Sequence, residues 1–300
     1  MPSVSSLQEA SQLLAAAHAE SRRVRIGDEL TTEGLDRILE HEAGDLTCTV
    51  EAGIRLSSLQ AVLAPHRQRL SLDPPGDPTV GACLAASLSG PLRHRHGAPR
   101  DLLLGVTLVL ADGTIASSGG KVVKNVAGYD LGKLVCGSHG TLALIARASL
   151  RLHPVPPAAR TLVVETDDTA AVVRRLLWSP LQPSALDVLH PGKVAVLFEG
   201  GVDAVGSQLA RARALVGGLE AGPDIWAESG ERQGAALGRV RFDPGRLGAT
   251  LAALDEAIVR PAAGVAYVPH ETSIELSEPV QALQENIRAA LDPTSILSPS

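Results

Sequence analysis

Two segments of the sequence carry residues whose types and spacing suit the binding of a phosphate-containing cofactor. The first, residues 74–97, is centred on the small-residue run TVGACLAASLSG, where a backbone can approach a ligand or another chain segment closely. Backbone amides that are free at the start of a helix suit a pyrophosphate, because they donate hydrogen bonds to its oxygens. Arg93 and Arg95 follow and offer fixed positive charge. The alternative interpretation, in which a helix packs tightly beside a solvated Arg/His turn, stays open. The segment does not carry the GxGxxG fingerprint of a Rossmann fold.

The second segment combines residues that are rare in this chain with a polar turn. Only 4 of the 27 basic residues are lysines, and three of them (Lys121, Lys124 and Lys133) lie within GGKVVKNVAGYDLGK. The same window holds one of the two asparagines and one of the two tyrosines. The turn GSHGT at residues 137–141 then leads into a strand and can lend amides and a hydroxyl to a cofactor. Solvated lysines and an ordinary loop before a strand are the alternative interpretation.

Regular elements are predicted on both sides of these segments. Hydrophobic spacing predicts helices over residues 32–41 and 56–63, and alternation predicts a strand over residues 46–52. The apolar run 102–110 predicts a buried strand, which the turn Ala-Asp-Gly folds back into a hairpin. Residues 141–152 are again rich in strand-forming types.

Three prolines within HPVPP, residues 153–157, predict a domain boundary. We therefore expect one domain over residues 1–155 and a second over residues 156–300. Strands and helices alternate in the second domain, with a long helix over residues 202–216. A terminal helix begins at the first-turn pair Glu278-Pro279.

Composition narrows the class of protein. The chain has 300 residues, 45% of them hydrophobic, and a net charge of −6, which gives no global attraction to nucleic acid or an anionic membrane. It shows neither an apolar run of membrane-spanning length nor a secretory signal, so a cytoplasmic protein without a transmembrane segment is expected. Cys48, Cys83 and Cys136 form no metal-like pair, and no metal site is predicted. No catalytic triad is evident, so the catalytic residues stay unknown.

The two segments also carry a family resemblance. SGPLRHRHGAPRDLLLGVTLVLADG, followed by GGKVVKNVAGYDLGKLVCGSHGTLALI, resembles the FAD-binding subunits of glycolate oxidase. These belong to the flavoprotein family with the vanillyl-alcohol-oxidase or PCMH-type FAD domain. The resemblance implies an α+β fold, with a two-subdomain PCMH-type FAD-binding domain followed by a smaller domain of antiparallel sheet and helices.

The resemblance also implies the cofactor, non-covalently bound FAD, and its site. Thr79, Val80, Gly81 and Ala82 would approach the pyrophosphate side, with Ser89 and Gly90 following on the same segment. Gly137, Gly140, Thr141 and Ile145 would line the opposite side, and Lys124, Asn125 and Tyr129 would shape the pocket. One departure concerns the glycine-rich amino-terminal turn that cradles the pyrophosphate in relatives. Here VRIGDELTTEGLD has only Gly27 at that place, and this phosphate loop is shortened.

The function that the resemblance implies is that of an FAD-binding subunit in a glycolate-oxidase-like complex. The complex would oxidise a 2-hydroxy acid to a 2-oxo acid and pass electrons through flavin. Its partners would be a catalytic flavoprotein subunit and an iron–sulfur subunit, since three isolated cysteines cannot ligate a cluster. Two alternatives stay open: a degenerate, flavin-free structural subunit of the same complex, and a stand-alone FAD-dependent oxidoreductase.

Overall fold

Two large antiparallel sheets, two small two-stranded sheets and the helices around them make up the part of the protein that the computed structural model describes, residues 3–120, 130–273 and 276–298. The strands of the amino-terminal half are β1 (Val24–Arg25), β2 (Ile38–Glu42), β3 (Thr47–Glu51), β4 (Gln68–Arg69), β5 (Leu103–Val109), β6 (Ile115–Gly119), β7 (Leu144–Arg151) and β8 (His153–Pro154). Its helices are α1 (Leu7–Ala19), α2 (Leu56–Leu63), α3 (Val80–Ala85), α4 (Arg93–His96), α5 (Pro99–Leu102) and α6 (Leu131–Val135).

The first sheet has five strands in the order β2-β3-β7-β5-β6. Successive residues of a strand point to opposite faces, and β7 shows this at its start. Leu144 packs in a cluster with Leu14 of α1, whereas Ile145 packs in a cluster with Leu59 of α2 and Leu84 of α3. The sheet is therefore covered by α1 on one face and by α2 and α3 on the other.

The helix over residues 56–63 is confirmed, because Leu56, Leu59 and Leu63 share one buried face. The helix predicted over residues 32–41 is wrong. Ile38–Glu42 forms β2 and pairs antiparallel with β3, with a bulge near its start. The helical spacing of its leucines and isoleucine gave way to pairing with a neighbouring strand, which no local pattern reveals.

The strands of the carboxyl-terminal half are β9 (Ala158–Glu165), β10 (Ala185–His190), β11 (Lys193–Gly200), β12 (Leu219–Ala221), β13 (Gly238–Arg241), β14 (Ala257–Arg260), β15 (Val265–Val268) and β16 (Leu297–Ser298). Its helices are α7 (Thr169–Leu177), α8 (Val202–Val216), α9 (Asp224–Gly234), α10 (Leu247–Ala252) and α11 (Glu278–Leu291). Seven of these strands form one antiparallel sheet in the order β12-β9-β11-β10-β14-β15-β13.

Helices lie on both faces of the second sheet. Apolar residues of α7, α8 and α10 form the large core cluster on one face, and Ile225 and Trp226 of α9 cover the other. The predicted α+β class, with an antiparallel sheet and helices in the second half, is confirmed. The division at residue 155 stays a prediction. Among the described helices, none is long and apolar enough to cross a membrane.

The carboxyl-terminal tail returns to the amino-terminal half. Strand β16 pairs parallel with β1, and the buried carboxylate of Asp292 accepts the amides of Ile296 and Leu297 at 3.1 and 2.7 Å. This contact fixes the tail beside the short turn that follows β1.

Candidate cofactor site

The two segments found in the sequence meet at a cleft of about 360 Å³. The start of α3 forms one wall, and the turn before β7 forms the opposite wall. Residues 26–33 lie along a third side. Five of the predicted site residues line this cleft: Thr79, Gly81, Ala82, Gly140 and Ile145. The rest of the lining is largely small or apolar, with a few polar groups at the rim.

The backbone amides at the start of α3 already have partners within the chain. The amides of Val80 and Gly81 donate to carbonyls of residues 52–54 at 2.9 and 2.6 Å. The amide of Ala82 donates to Oγ1 of Thr79 at 3.1 Å, so Thr79 is the N-cap of this helix. The expectation of free amides is therefore wrong at these three positions.

Gly81 is required by the chain's own packing. A Cβ atom at Gly81 would lie 2.9 Å from the carbonyl oxygen of Ala52 and 3.0 Å from its Cβ. Any larger residue would push α3 away from the end of β3. Close approach of two chain segments, one of the two interpretations of the small-residue run, thus accounts for this glycine.

The turn at residues 137–141 is fastened to the end of α3. The amides of Gly137 and His139 donate to the carbonyls of Leu84 and Ala85 at 3.0 and 2.9 Å. Gly137 and Gly140 have φ values of +84° and +75°, which glycine adopts without strain. The two walls of the cleft are therefore joined by hydrogen bonds at their far end.

A second cleft of about 370 Å³ lies behind this turn, against α11. Gly137 and Thr141, two further predicted residues, line this second cleft and not the first. His139 lines both clefts.

Other predicted residues lie away from both clefts. Val80 is completely buried in the core of the first half. Ser89 is buried beneath the second sheet, and Gly90 packs so closely on Asp73 that a Cβ atom there would lie 1.8 Å from the Asp73 carbonyl oxygen. Lys124, Asn125 and Tyr129 lie outside the described residues. The assignment of these positions to a cofactor stays a prediction.

The amino-terminal loop that the sequence predicts to be shortened is a closed turn in the structure. The carbonyl of Arg25 accepts the amides of Asp28, Glu29 and Leu30 at 3.4, 2.8 and 3.1 Å, and the amide of Gly27 donates to Leu30 at 2.9 Å. The side chain of Arg25 pairs with both carboxylates of the turn. The turn therefore uses its donors internally and adds two acidic groups near the cleft.

A buried polar network links the first segment to the second sheet. The carbonyl of Ser89 accepts hydrogen bonds from Arg260 Nη1 at 3.0 Å and from Gln233 Nε2 at 2.9 Å. Arg260 forms an ion pair with Asp187 at 3.3 Å, and Asp187 also accepts the hydroxyl of Ser229 at 2.7 Å. Both members of the ion pair are almost fully buried.

Asp73 lies close to this buried network, because the charges of Arg260 and Asp187 both act on its pKa. Its side chain keeps some exposed surface, but its carboxylate is densely surrounded, and burial raises its pKa to about 6. The amide of Leu92 opposes this rise by donating to both carboxylate oxygens, at 3.2 and 3.0 Å.

Four arginines gather beside this network, and we call Arg93, Arg239, Arg241 and Arg260 the basic cluster. Burial lowers the pKa of Arg93, Tyr267 opposes that shift, and the charges of the other three arginines lower the pKa further. Arg239 and Arg241 project from the same face of β13, since they are two residues apart. The guanidinium of Arg260 lies 5.0 Å from the ring centre of Tyr267.

Sequence reasoning found only Arg93 of the basic cluster. The pattern Arg-x-Arg in GRVR was the available signal for Arg239 and Arg241, because it places two cations on one face of a strand. Nothing local pairs β13 with β15 or brings Arg260 beside them.

Cys48 and Cys83 are buried, and Cys136 is half-buried. All three are free thiols, and burial raises the pKa of Cys48, Cys83 and Cys136 to about 12. Thiolate is the form that ligates metal, so this environment disfavours cluster binding by each of them.

Sequence comparison connects the site to known proteins. Residues 29–119 match the profile of the family described as FAD binding domain. The chain is 32% identical over 201 residues to glycolate oxidase subunit GlcE of Escherichia coli, covering 65% of this chain and 56% of that protein. It is 33% identical over 179 residues to D-lactate dehydrogenase [cytochrome] 1, mitochondrial, of Saccharomyces cerevisiae, covering 58% and 30%. It is 33% identical over 173 residues to glycolate oxidase subunit GlcD of Bacillus subtilis, covering 54% and 36%.

Solved structures show the same fold. Alkyldihydroxyacetonephosphate synthase superposes with a TM-score of 0.74 and 16% identity, over 99% of this chain and 75% of that one. Xylooligosaccharide oxidase from Myceliophthora thermophila matches with a TM-score of 0.61 and 14% identity, over 73% and 52%. At these identities the likeness concerns the fold alone.

The fold is similar to that of PCMH-type FAD-binding flavoproteins. Residues 29–119 of the chain match the FAD binding domain, and glycolate oxidase subunits and D-lactate dehydrogenases are among the proteins to which the chain is similar. The resemblance stated from the sequence is confirmed. It spans just over half of GlcE and about a third of the other two relatives.

The described residues fit FAD, the cofactor that the family supports. Apolar walls with a few polar groups are typical of cofactor pockets, and such pockets measure roughly 300–1,000 Å³. The first cleft lies at the lower end of that range, and the second adds a similar volume on the other side of His139. Ala82, Gly140 and Ile145 would contact the cofactor along the first cleft.

Proposed function

We propose that the chain is the FAD-binding subunit of a glycolate-oxidase-like complex that oxidises a 2-hydroxy acid to a 2-oxo acid. The observation that carries this proposal is the cleft between the start of α3 and the turn at residues 137–141, in a chain whose residues 29–119 match the FAD binding domain. FAD, when bound non-covalently, supplies the redox chemistry. The chain's residues bind it, orient it and exclude water from it.

The basic cluster supports an acidic substrate. Leu88 lines the first cleft, and the next residue, Ser89, is held by Arg260 of the cluster. Guanidinium groups recognise carboxylates through paired hydrogen bonds. Because Arg260 is already paired with Asp187 inside the protein, Arg93, Arg239 and Arg241 are the members of the cluster that would bind the carboxylate of a 2-hydroxy acid.

The cysteines support a partner subunit that carries the iron–sulfur cluster. Cys48 and Cys83 are buried and Cys136 is half-buried, and the raised pKa of each thiol disfavours ligation by this chain. A second, catalytic flavoprotein subunit would complete the complex. The cytoplasmic location inferred from the sequence stays a prediction.

A flavin-free structural subunit is the second candidate. This candidate is favoured because the amides of Val80–Ala82 and of the turn at residues 27–30 already donate hydrogen bonds within the chain. They are therefore not available to bind a phosphate. A stand-alone oxidoreductase is the third, and activity of the isolated chain on glycolate or D-lactate would favour it.

Absorbance of the purified full-length chain in the visible flavin bands tests the proposal. We expect flavin at near one per chain, released on denaturation, or taken up when FAD is added to the folded protein. A colourless chain that takes up no FAD, alone or when co-purified with its partners, would support the flavin-free subunit instead. Oxidation of glycolate by the assembled complex, measured with an artificial acceptor, then separates the first candidate from the third.

A further inference from the structure

We infer that Arg55 is the phosphate-binding cation of the first cleft and that Glu33 competes with phosphate for its guanidinium. The inference rests on the proposed function, because it assumes that FAD occupies this cleft. Among the residues that the structure describes along this cleft, Arg55 is the only arginine or lysine.

A pyrophosphate inside this cleft needs positive charge or hydrogen-bond donors. Ionised groups that leave water without a partner are strongly disfavoured. The amides of Val80, Gly81 and Ala82 donate to the chain's own oxygens, and the amides of residues 27–30 donate within their turn. These seven amides therefore do not serve the phosphates, and a side-chain cation at the cleft would supply the positive charge that they do not.

Arg55 has the position for this task. Its backbone bridges to Thr79, the N-cap of α3, so its side chain begins beside the wall where the pyrophosphate is expected. Nη1 donates to the carbonyl of Asp77 at 2.9 Å, which fixes one edge of the guanidinium. Nη2 donates to Glu33 at 3.1 Å, and Glu33 lines the same cleft.

The pairing with Glu33 is the kind that a phosphate displaces. Both side chains are more than half exposed, at 52% for Arg55 and 61% for Glu33, and exposed ion pairs contribute little. A phosphate accepts two parallel hydrogen bonds from a guanidinium, which a single carboxylate contact does not match. Glu33 holds Arg55 at the rim, and its own charge repels the incoming pyrophosphate.

The test measures binding of three ligands to the full-length chain by equilibrium titration: FAD, ADP, which carries the pyrophosphate without the flavin, and riboflavin, which carries the flavin without phosphate. For Arg55→Ala we expect the affinities for FAD and ADP to fall about 10- to 100-fold, with no change for riboflavin. Arg55→Lys should give an intermediate loss, because it keeps the charge and loses the planar fork. Glu33→Gln should bind FAD about 2- to 5-fold more tightly.

Arg22→Ala is the matched control, since Arg22 is similarly exposed and pairs with Glu20 away from the cleft lining. Its affinities should equal those of the wild type. A folded Arg55→Ala variant with wild-type affinity for FAD and ADP, or a Glu33→Gln variant that binds more weakly, overturns the inference alone. A wild-type chain that binds neither FAD nor ADP overturns the proposed function and the inference with it.

Discussion

Replacing Arg260 with methionine should destabilise the protein more than any exposed arginine substitution. Arg260 is 3% exposed and Asp187 is 0% exposed, so their ion pair lies wholly inside the protein. The substitution removes the ion pair and the hydrogen bonds to Ser89 and Gln233. It leaves the Asp187 carboxylate buried without a cation.

The expected cost follows from that stranded charge. Breaking a buried ion pair by removing one partner typically costs about 3–5 kcal/mol in the free energy of unfolding. For a protein of this size, that corresponds to a fall in Tm on the order of 10 °C. Adding Asp187→Asn should recover part of the loss, because the amide keeps an acceptor for Ser229 and carries no charge.

Thermal and denaturant unfolding of the full-length chain, followed by circular dichroism, measures both effects. Arg211→Met, at an exposed position of α8, is the control and should change stability by less than about 0.5 kcal/mol. Two results would contradict a stabilising role for the buried Arg260–Asp187 pair. One is a cost of less than about 1 kcal/mol for Arg260→Met, and the other is a double variant that is no more stable than the single one.

Three further predictions concern other buried groups. Burial raises the pKa of Asp73 to about 6, so the folded state binds this proton more tightly than the unfolded state does. The free energy of unfolding should therefore fall by on the order of 2 kcal/mol as pH rises from about 4 to about 6. Denaturant titrations of Asp73→Asn should show a weaker dependence on pH over the same range. Gly90→Ala should lower the free energy of unfolding by about 2–4 kcal/mol, because the new Cβ would overlap the Asp73 carbonyl. Gly44→Ala is the control and should leave the free energy of unfolding unchanged, because nothing lies within 4 Å of a Cβ there. Equal effects of the two substitutions would count against the overlap. The thiols of Cys48 and Cys83, with pKa values of about 12, should react with a disulfide reagent only on unfolding, and rapid reaction of the native chain would contradict their burial.

Local sequence patterns predicted the elements that bury one face and that end at a recognisable terminating residue. The helices at residues 56–63 and 202–216 have the predicted bounds, because their apolar spacing follows the helical period and a distinct residue ends each one. Residues 32–41 carried a similar spacing, yet β2 forms there and pairs with β3. The deciding interaction lies outside the window that the pattern covers.

In the candidate site, too, some features could be predicted from local sequence and others depend on contacts between distant segments. Small residues and positive-φ glycines can be recognised from the sequence, and they do bring α3 against the turn before β7. Whether their amides face a phosphate depends on which oxygens already accept them. For Val80 and Gly81 those oxygens belong to residues 52–54, which are close in space and remote in sequence. Because the chain satisfies these amides itself, the small-residue run explains the shape of the cleft and leaves recognition of an anion to side chains. In the proposed function, Arg55 at the rim and the less buried arginines of the basic cluster would supply that recognition.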